Sequence, residues 1–179
     1  MKKLIMLFVS IMLLCGCDDI NNTPTKQVES FFNKYQTLDE EVLDDLERII
    51  SEETAFDTTA REEYRKLIKD QFKNLTYKIK DESINGDTAT VSTEITVTDY
   101  AKTLAEAEEY KNNHISEFQD ELGTYQASKY SNYVIEKLKD AKDRIKYTVE
   151  IRLTKLDEKW KIDGIDENTE DKILGIYRY

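Results

Sequence analysis

The sequence predicts an α+β domain, helices laid on one face of an antiparallel sheet, and three observations predict it. Apolar residues recur every three to four positions over most of the first third of the domain. The period then drops to two in two separate blocks, each containing a tight-turn signal. Helical and strand-like runs come in groups rather than in strict alternation, which favours α+β over a parallel α/β layout.

Thr23 has the character of a helix N-cap, and Pro24, the only proline, suits the first helical position. Val28, Phe31, Phe32 and Tyr35 then share one helix face. Thr37 and Glu40 have capping-box spacing ahead of a second stripe, Val42, Leu43, Leu46, Ile49 and Ile50. Thr59 and Glu62 repeat that box before a third stripe, Tyr64, Leu67, Ile68 and Phe72. The first period-two block follows, with Leu75, Tyr77 and Ile79 and then Ala89, Val91, Thr93, Ile95 and Val97 on alternating positions. Asn85-Gly86 between them predicts a hairpin with a type I′ turn, in which both central residues take positive φ.

Thr103 and Glu106 form a third box, opening a helix that runs through Tyr110 and Phe118 and is expected to stop at Gly123. A second helix, from about Ser128 to Lys142, aligns Tyr130, Tyr133, Val134, Leu138 and Ala141. Ile145, Tyr147, Val149, Ile151 and Leu153 make the next strand. After the Asp157-Glu158 turn, Trp160 and Ile162 make another. A closing helix, capped near Asn168, carries Ile173, Ile176 and Tyr177.

The first sixteen residues have a different character. Lys2 and Lys3 precede an apolar run from Leu4 to Leu14 interrupted only by Ser10, and the small Gly16 follows. A spanning helix needs about 20 apolar residues, so this layout fits a signal peptide and not a permanent span. Leu14-Cys15-Gly16-Cys17 resembles the lipobox of bacterial lipoproteins. That resemblance implies cleavage after Gly16, a diacylglyceryl group on the Cys17 sulfur and residence on the extracytoplasmic face of the cell membrane. The expected organisation is residues 1–16 as signal peptide, 17–23 as lipidated cysteine and tether, and 24–179 as one domain. Two acyl chains make such anchoring stable where one is marginal.

Loss of the signal removes two lysines and no acid, taking the net charge from −11 to about −13. An acidic chain without clustered Lys and Arg excludes nucleic acid as an expected partner. An anionic bilayer surface would repel it too, leaving the lipid as the contact with the membrane. Zinc and copper sites need imidazole or thiolate ligands, and the sequence holds one histidine, His114, and two cysteines, both in the lipobox segment. The Asp166–Tyr177 stretch places Asp and Asn as a calcium loop would, without the sixth-position Gly or twelfth-position Glu. No nucleophile elbow or phosphate-cradling glycine loop is present. No metal, cofactor or catalytic residue is therefore expected.

Thr23-Pro24-Thr25, Phe31-Phe32, Tyr77-Lys78-Ile79 to Asn85-Gly86-Asp87, Tyr147-Thr148-Val149, Lys159-Trp160-Lys161-Ile162 and the Lys172–Tyr177 tail together resemble uncharacterised bacterial lipoproteins of the nuclear transport factor 2-like (cystatin-like) superfamily. The resemblance implies a curved antiparallel sheet closed by N-terminal helices into a cone, here with two helices inserted between the hairpins. It also implies a fold used by isomerases and dehydratases as well as by binding proteins. No residue of such a catalytic set can be carried over. The leading expectation is a non-enzymatic, lipid-anchored binding module with an envelope protein or ligand as partner. The alternative is an enzyme using the cone pocket for acid-base chemistry, and homodimerisation through the exposed sheet face is a third reading. Tyr100, Tyr110, Tyr125, Tyr130 and Tyr133 are the expected ligand-binding side chains, because rings with a polar tip suit a groove at a wet rim.

Overall fold

The computed structural model describes residues 22–52 and 54–178, so the apolar leader and Cys17 lie outside the described residues. Three helices come first: α1 (Pro24–Thr37), α2 (Glu40–Glu52) and α3 (Thr58–Asn74). Strands β1 (Thr76–Asn85) and β2 (Thr88–Thr98) follow, then α4 (Tyr100–Asn113), a 3-10 turn (Ile115–Phe118) and α5 (Ala127–Asp140). The chain ends with β3 (Arg144–Leu156), β4 (Lys159–Ile162) and α6 (Glu167–Leu174). The four strands form one antiparallel sheet in the order β1-β2-β3-β4.

Period-two patterning decides which face of the sheet is covered. Val91, Ile95 and Val97 on β2 and Tyr147, Val149, Ile151 and Leu153 on β3 point the same way, paired as Val91 with Ile151 and Ile95 with Tyr147. All are buried, together with Phe32, Leu46, Ile68 and Ile173 from the helices packed over them. The opposite face is polar: Ser92 donates to Glu150 at 2.7 Å, and Glu94 receives Lys80 and Lys146 at 3.3 and 3.2 Å. One dry face and one wet face is the usual division in antiparallel sheets.

Gln71 joins three elements. Buried on α3, it donates from Nε2 to the carbonyls of Thr98 and Leu174 at 3.1 and 3.2 Å and accepts the Thr98 amide at 3.0 Å. Gly175, the C-cap of α6 at φ +76, sits against this junction, and a Cβ there would lie 2.2 Å from the Thr98 carbonyl oxygen. At the other end of the sheet Asn22 accepts the Trp160 amide at 3.0 Å and donates to the Glu158 carbonyl at 2.6 Å, fastening the start of the domain to the β3–β4 turn.

Several local expectations need correction. Thr37 is the last residue of α1 and bonds back to Asn33, while Asp39 accepts the Glu41 amide at the start of α2. Asp57 caps α3, Asp99 caps α4 and Asp166 caps α6, in place of Thr59, Thr103 and Asn168. The reason is the same each time: an aspartate accepts the orphan amide hydrogen bond as threonine or asparagine would, and adds a negative charge at the positive end of the helix dipole, which they do not. α4 stops at Asn113, ten residues before Gly123, because His114 leaves the helical region and the chain tightens into the 3-10 turn. Gly123 serves instead in a loop, at φ +80.

The first hairpin turn is also displaced by one residue. Asn85 pairs with Thr88, so the loop is Gly86-Asp87, and of these two only Gly86 has positive φ, the type II′ requirement. Asp157-Glu158 is the turn with two positive φ values, 50 and 61. A bulge between Ile79 and Asp81 resets the phase of β1, placing Glu82 opposite the inward Val91. Glu82 thereby reaches the start of α1, where its carboxylate accepts from the Thr25 amide at 2.8 Å and hydroxyl at 2.7 Å.

Candidate ligand-binding cleft

Three amphipathic stripes converge beside the sheet. Tyr64 and Ile68 on α3, Tyr100 and Leu104 on α4, and Tyr130, Val134 and Leu138 on α5 are each spaced by four residues, so each set shares one helix face. They line a cleft of about 370 Å³ together with Phe56 and Ile176. Phe56 meets Tyr64 edge-to-face with ring centroids 5.2 Å apart. Among the described residues no charged side chain lines this cleft. Its polar side chains are Tyr64, Tyr100, Tyr130 and Ser131, the last of which already donates to the Ala127 carbonyl at 3.0 Å. Burial pushes the Tyr100 hydroxyl up to about 12, with Asp70 adding to the shift and a hydrogen bond with Thr98 opposing it. At neutral pH that group is a neutral phenol, suited to orient a ligand and not to take a proton from one.

The five tyrosines do not share one groove. Tyr110, Tyr130 and Tyr133 meet around the buried Phe118, with Tyr110 stacked on Tyr133 at 5.0 Å and on His114 at 4.0 Å. Lys111 and Lys137 lie over the Tyr130 and Tyr133 rings at 4.7 and 5.2 Å, covering the cluster with cations. The Tyr110 hydroxyl donates to the Glu117 carboxylate at 3.0 Å. Tyr100 stands apart, buried at the base of α4, and Tyr125 is half exposed in the loop before α5, bridged to Gln119.

The hairpin thus has two flanks. Tyr100 and Tyr130 face the apolar cleft. Tyr110 and Tyr133 face a second one of about 540 Å³ whose lining includes Lys102, Glu106, Lys137, Asp140 and Asp143. Lys102 and Asp143 pair with each other there, leaving a solvated, charge-balanced surface. The α3 wall of the apolar cleft, Tyr64 and Ile68, was not among the expected ligand residues. Its sequence signal was slight: a tyrosine standing where an aliphatic residue would complete a core stripe.

His114 is exposed, with Nδ1 held 3.0 Å from the Tyr110 carbonyl. Among the described residues no group of three or more His, Cys, Asp or Glu side chains could hold a metal ion. The Asp166–Tyr177 stretch is spent on the cap and body of α6.

The chain matches no protein-family model and no curated protein. Among solved structures it is similar to a crystal structure titled "putative lipoprotein (ycdA)" from Bacillus subtilis, with 22% identity and a TM-score of 0.40. The match covers 68% of this chain and 38% of that one, so it spans well under half of the solved chain.

Proposed function

We propose that this chain is a lipid-anchored module on the extracytoplasmic face of the bacterial cell membrane, and that it binds an apolar group of an envelope protein or ligand in the cleft between α3 and the α4–α5 hairpin. The observation that carries the binding part is a 370 Å³ concavity lined by aromatic and aliphatic side chains with a few hydroxyls, the chemistry of most small-ligand sites. The lipobox-like Leu14–Cys17 carries the anchoring part. Among the described residues no helix is long and apolar enough to cross a membrane. The nuclear transport factor 2-like reading belongs to the same proposal, supported by N-terminal helices over one face of an antiparallel sheet.

A non-catalytic role is part of the reading. Acid-base turnover in the cleft would need a titratable group poised near neutrality, and among the described residues its lining holds no carboxylate, histidine or lysine.

Two measurements test the two halves. Metabolic labelling with a clickable fatty acid should mark the wild-type chain and not Cys17→Ser, which should leave the membrane fraction; label retained on the variant would overturn the anchor. The dye anilinonaphthalene sulfonate should bind saturably to the wild-type chain and lose that binding in Val134→Trp, with far-UV circular dichroism unchanged. Saturable binding that survives the tryptophan would place the dye elsewhere and overturn the cleft.

A further inference from the structure

We infer that the occupant of the apolar cleft is the Leu122 loop of a second copy of this chain. The inference rests on the cleft being a binding site, and it names the partner.

The loop between the 3-10 turn and α5 shows an unusual combination of order and apolar exposure. Leu122 is 91% exposed, and Ile115 and Tyr125 nearby are 44% and 43% exposed. Exposed leucines are unremarkable on mobile segments, but this one stands on a tightly bonded turn. Asp120 accepts the amides of Leu122 and Thr124 through one oxygen, both at 2.9 Å, and the Gln126 side chain through the other at 2.9 Å. The Asp120 amide bonds the Thr124 carbonyl at 2.9 Å, and the Gly123 amide returns to the Asp120 carbonyl at 3.0 Å. Lys129 adds a bond to the Gln119 carbonyl at 2.6 Å. Gly123, in the left-handed region, lets the chain reverse directly after Leu122. A backbone already ordered around its apolar side chain loses little further freedom on binding, which is how a single apolar anchor becomes effective.

Charge supports a copy of the same chain as the acceptor. The exposed Glu121 adjoins the knob, and Glu117 in the preceding 3-10 turn receives the Tyr110 hydroxyl. Beside the Tyr130 wall of the cleft stand Lys111, over that ring, and Arg178, which is paired with Glu108 at 3.5 Å, so that side of the rim carries two cations and one acid. An acidic apolar knob and an apolar cleft whose Tyr130 rim has an excess of cations are therefore parts of one molecule. Because Leu122 and Tyr130 belong to the same helical hairpin, two copies can exchange knobs reciprocally across a two-fold axis, the commonest closed arrangement. The net charge of −11 opposes pairing, so the contact is transient and calls for trapping.

The natural cysteines are Cys15 and Cys17 alone, so crosslinks at introduced positions can be mapped. Full-length chains carrying Thr124→Cys, beside the knob, and Ala55→Cys, on the cleft lining, are co-expressed and oxidised. An intermolecular 124–55 disulfide is expected by peptide mass spectrometry. Adding Leu122→Asp, harmless to folding at so exposed a position, should reduce its yield by ~10-fold or more, the equivalent of losing one buried leucine. A yield no greater than that of Thr124→Cys with Lys78→Cys, on the outer sheet face, overturns the inference, as does a yield indifferent to Leu122→Asp or a crosslink to a different polypeptide. Dye binding retained without the 124–55 crosslink removes the partner and leaves the cleft; loss of saturable dye binding in the wild-type chain removes the cleft itself.

Discussion

The sheet with its covering helices and the α4–α5 hairpin treat apolar side chains in opposite ways. In the body, Phe32, Leu46, Ile95 and Leu153 are fully shielded, and Ile84 and Leu156 emerge only at strand ends. In the hairpin beyond Tyr100, Phe118 is the one buried ring, Tyr110, Tyr130 and Tyr133 gather around it half exposed, and Leu122 stands in water. Two helices on their own can bury only the strip along which they touch, whereas a sheet face beneath α1, α3 and α6 encloses a full layer. The contrast assigns stability to the body and display to the hairpin.

The largest test of that division is Gly175→Ala. Its new Cβ would meet the Thr98 carbonyl in a left-handed backbone, next to Gln71, which ties α3, β2 and α6 together. A loss of more than ~3 kcal/mol in urea unfolding is expected, with one transition lost across the whole body. A shift under ~1 kcal/mol would show that the junction tolerates rearrangement.

Phe118→Ala should cost about 3 kcal/mol, yet only in the hairpin. Hydrogen exchange ought to accelerate across α4 and α5 while β2 and β3 keep their protection. Acceleration spreading into the strands would erase the distinction between the two regions.

Asp166→Ala tests a cap in the body and should cost about 1 kcal/mol or somewhat less, given its exposure to solvent. Hydrogen bonds from the Thr169 side chain and amide hold the Asp166 carboxyl below the usual aspartate range. A depressed acid stabilises the fold fully above its unfolded pKa, near 3.9, and loses that contribution as pH falls through the lower folded value. The wild-type advantage over the variant should accordingly be constant near neutrality and shrink below about pH 4. A difference that grows on acidification would contradict the assignment.

The smallest effect has the opposite sign. Thr93 is fully buried in the middle of β2, and its hydroxyl has no hydrogen-bond partner among the described residues. Thr93→Val keeps the shape and removes an unpaired polar group, so it should raise stability by ~1 kcal/mol in thermal unfolding. A decrease would mean that the hydroxyl is satisfied by a bound water.

Much of the body was legible residue by residue. Ala89 to Val97 and Ile145 to Leu153 alternate in sequence and face inward in the sheet, and Trp160 and Ile162 follow their turn as expected. The start of α1 was legible too, with Thr23 as cap and Pro24 as first residue, but the later helix starts were not, because a capping-box pattern rewards the Thr–Glu pair and overlooks the aspartate nearby that competes for the same amide. In so acidic a chain, aspartate supplied the cap at four helix starts. The division of the tyrosines was also hidden. Tyr130 and Tyr133 are three residues apart, yet rotation of the helix and the approach of α3 send one toward the apolar cleft and the other toward the charged one.

By itself the sequence determined the class of fold, the order of helices and strands, the covered face of the sheet and the expectation of an anchor at Cys17. These follow from side-chain period and from short motifs, both local to the chain. Only the tertiary structure decided that Tyr64 would face Tyr130, that a bulge would carry Glu82 to the start of α1, and that Leu122 would stand exposed on a bonded turn. Each depends on the meeting of segments, or on hydrogen bonds closing around one acid, which residue spacing along a single element does not encode.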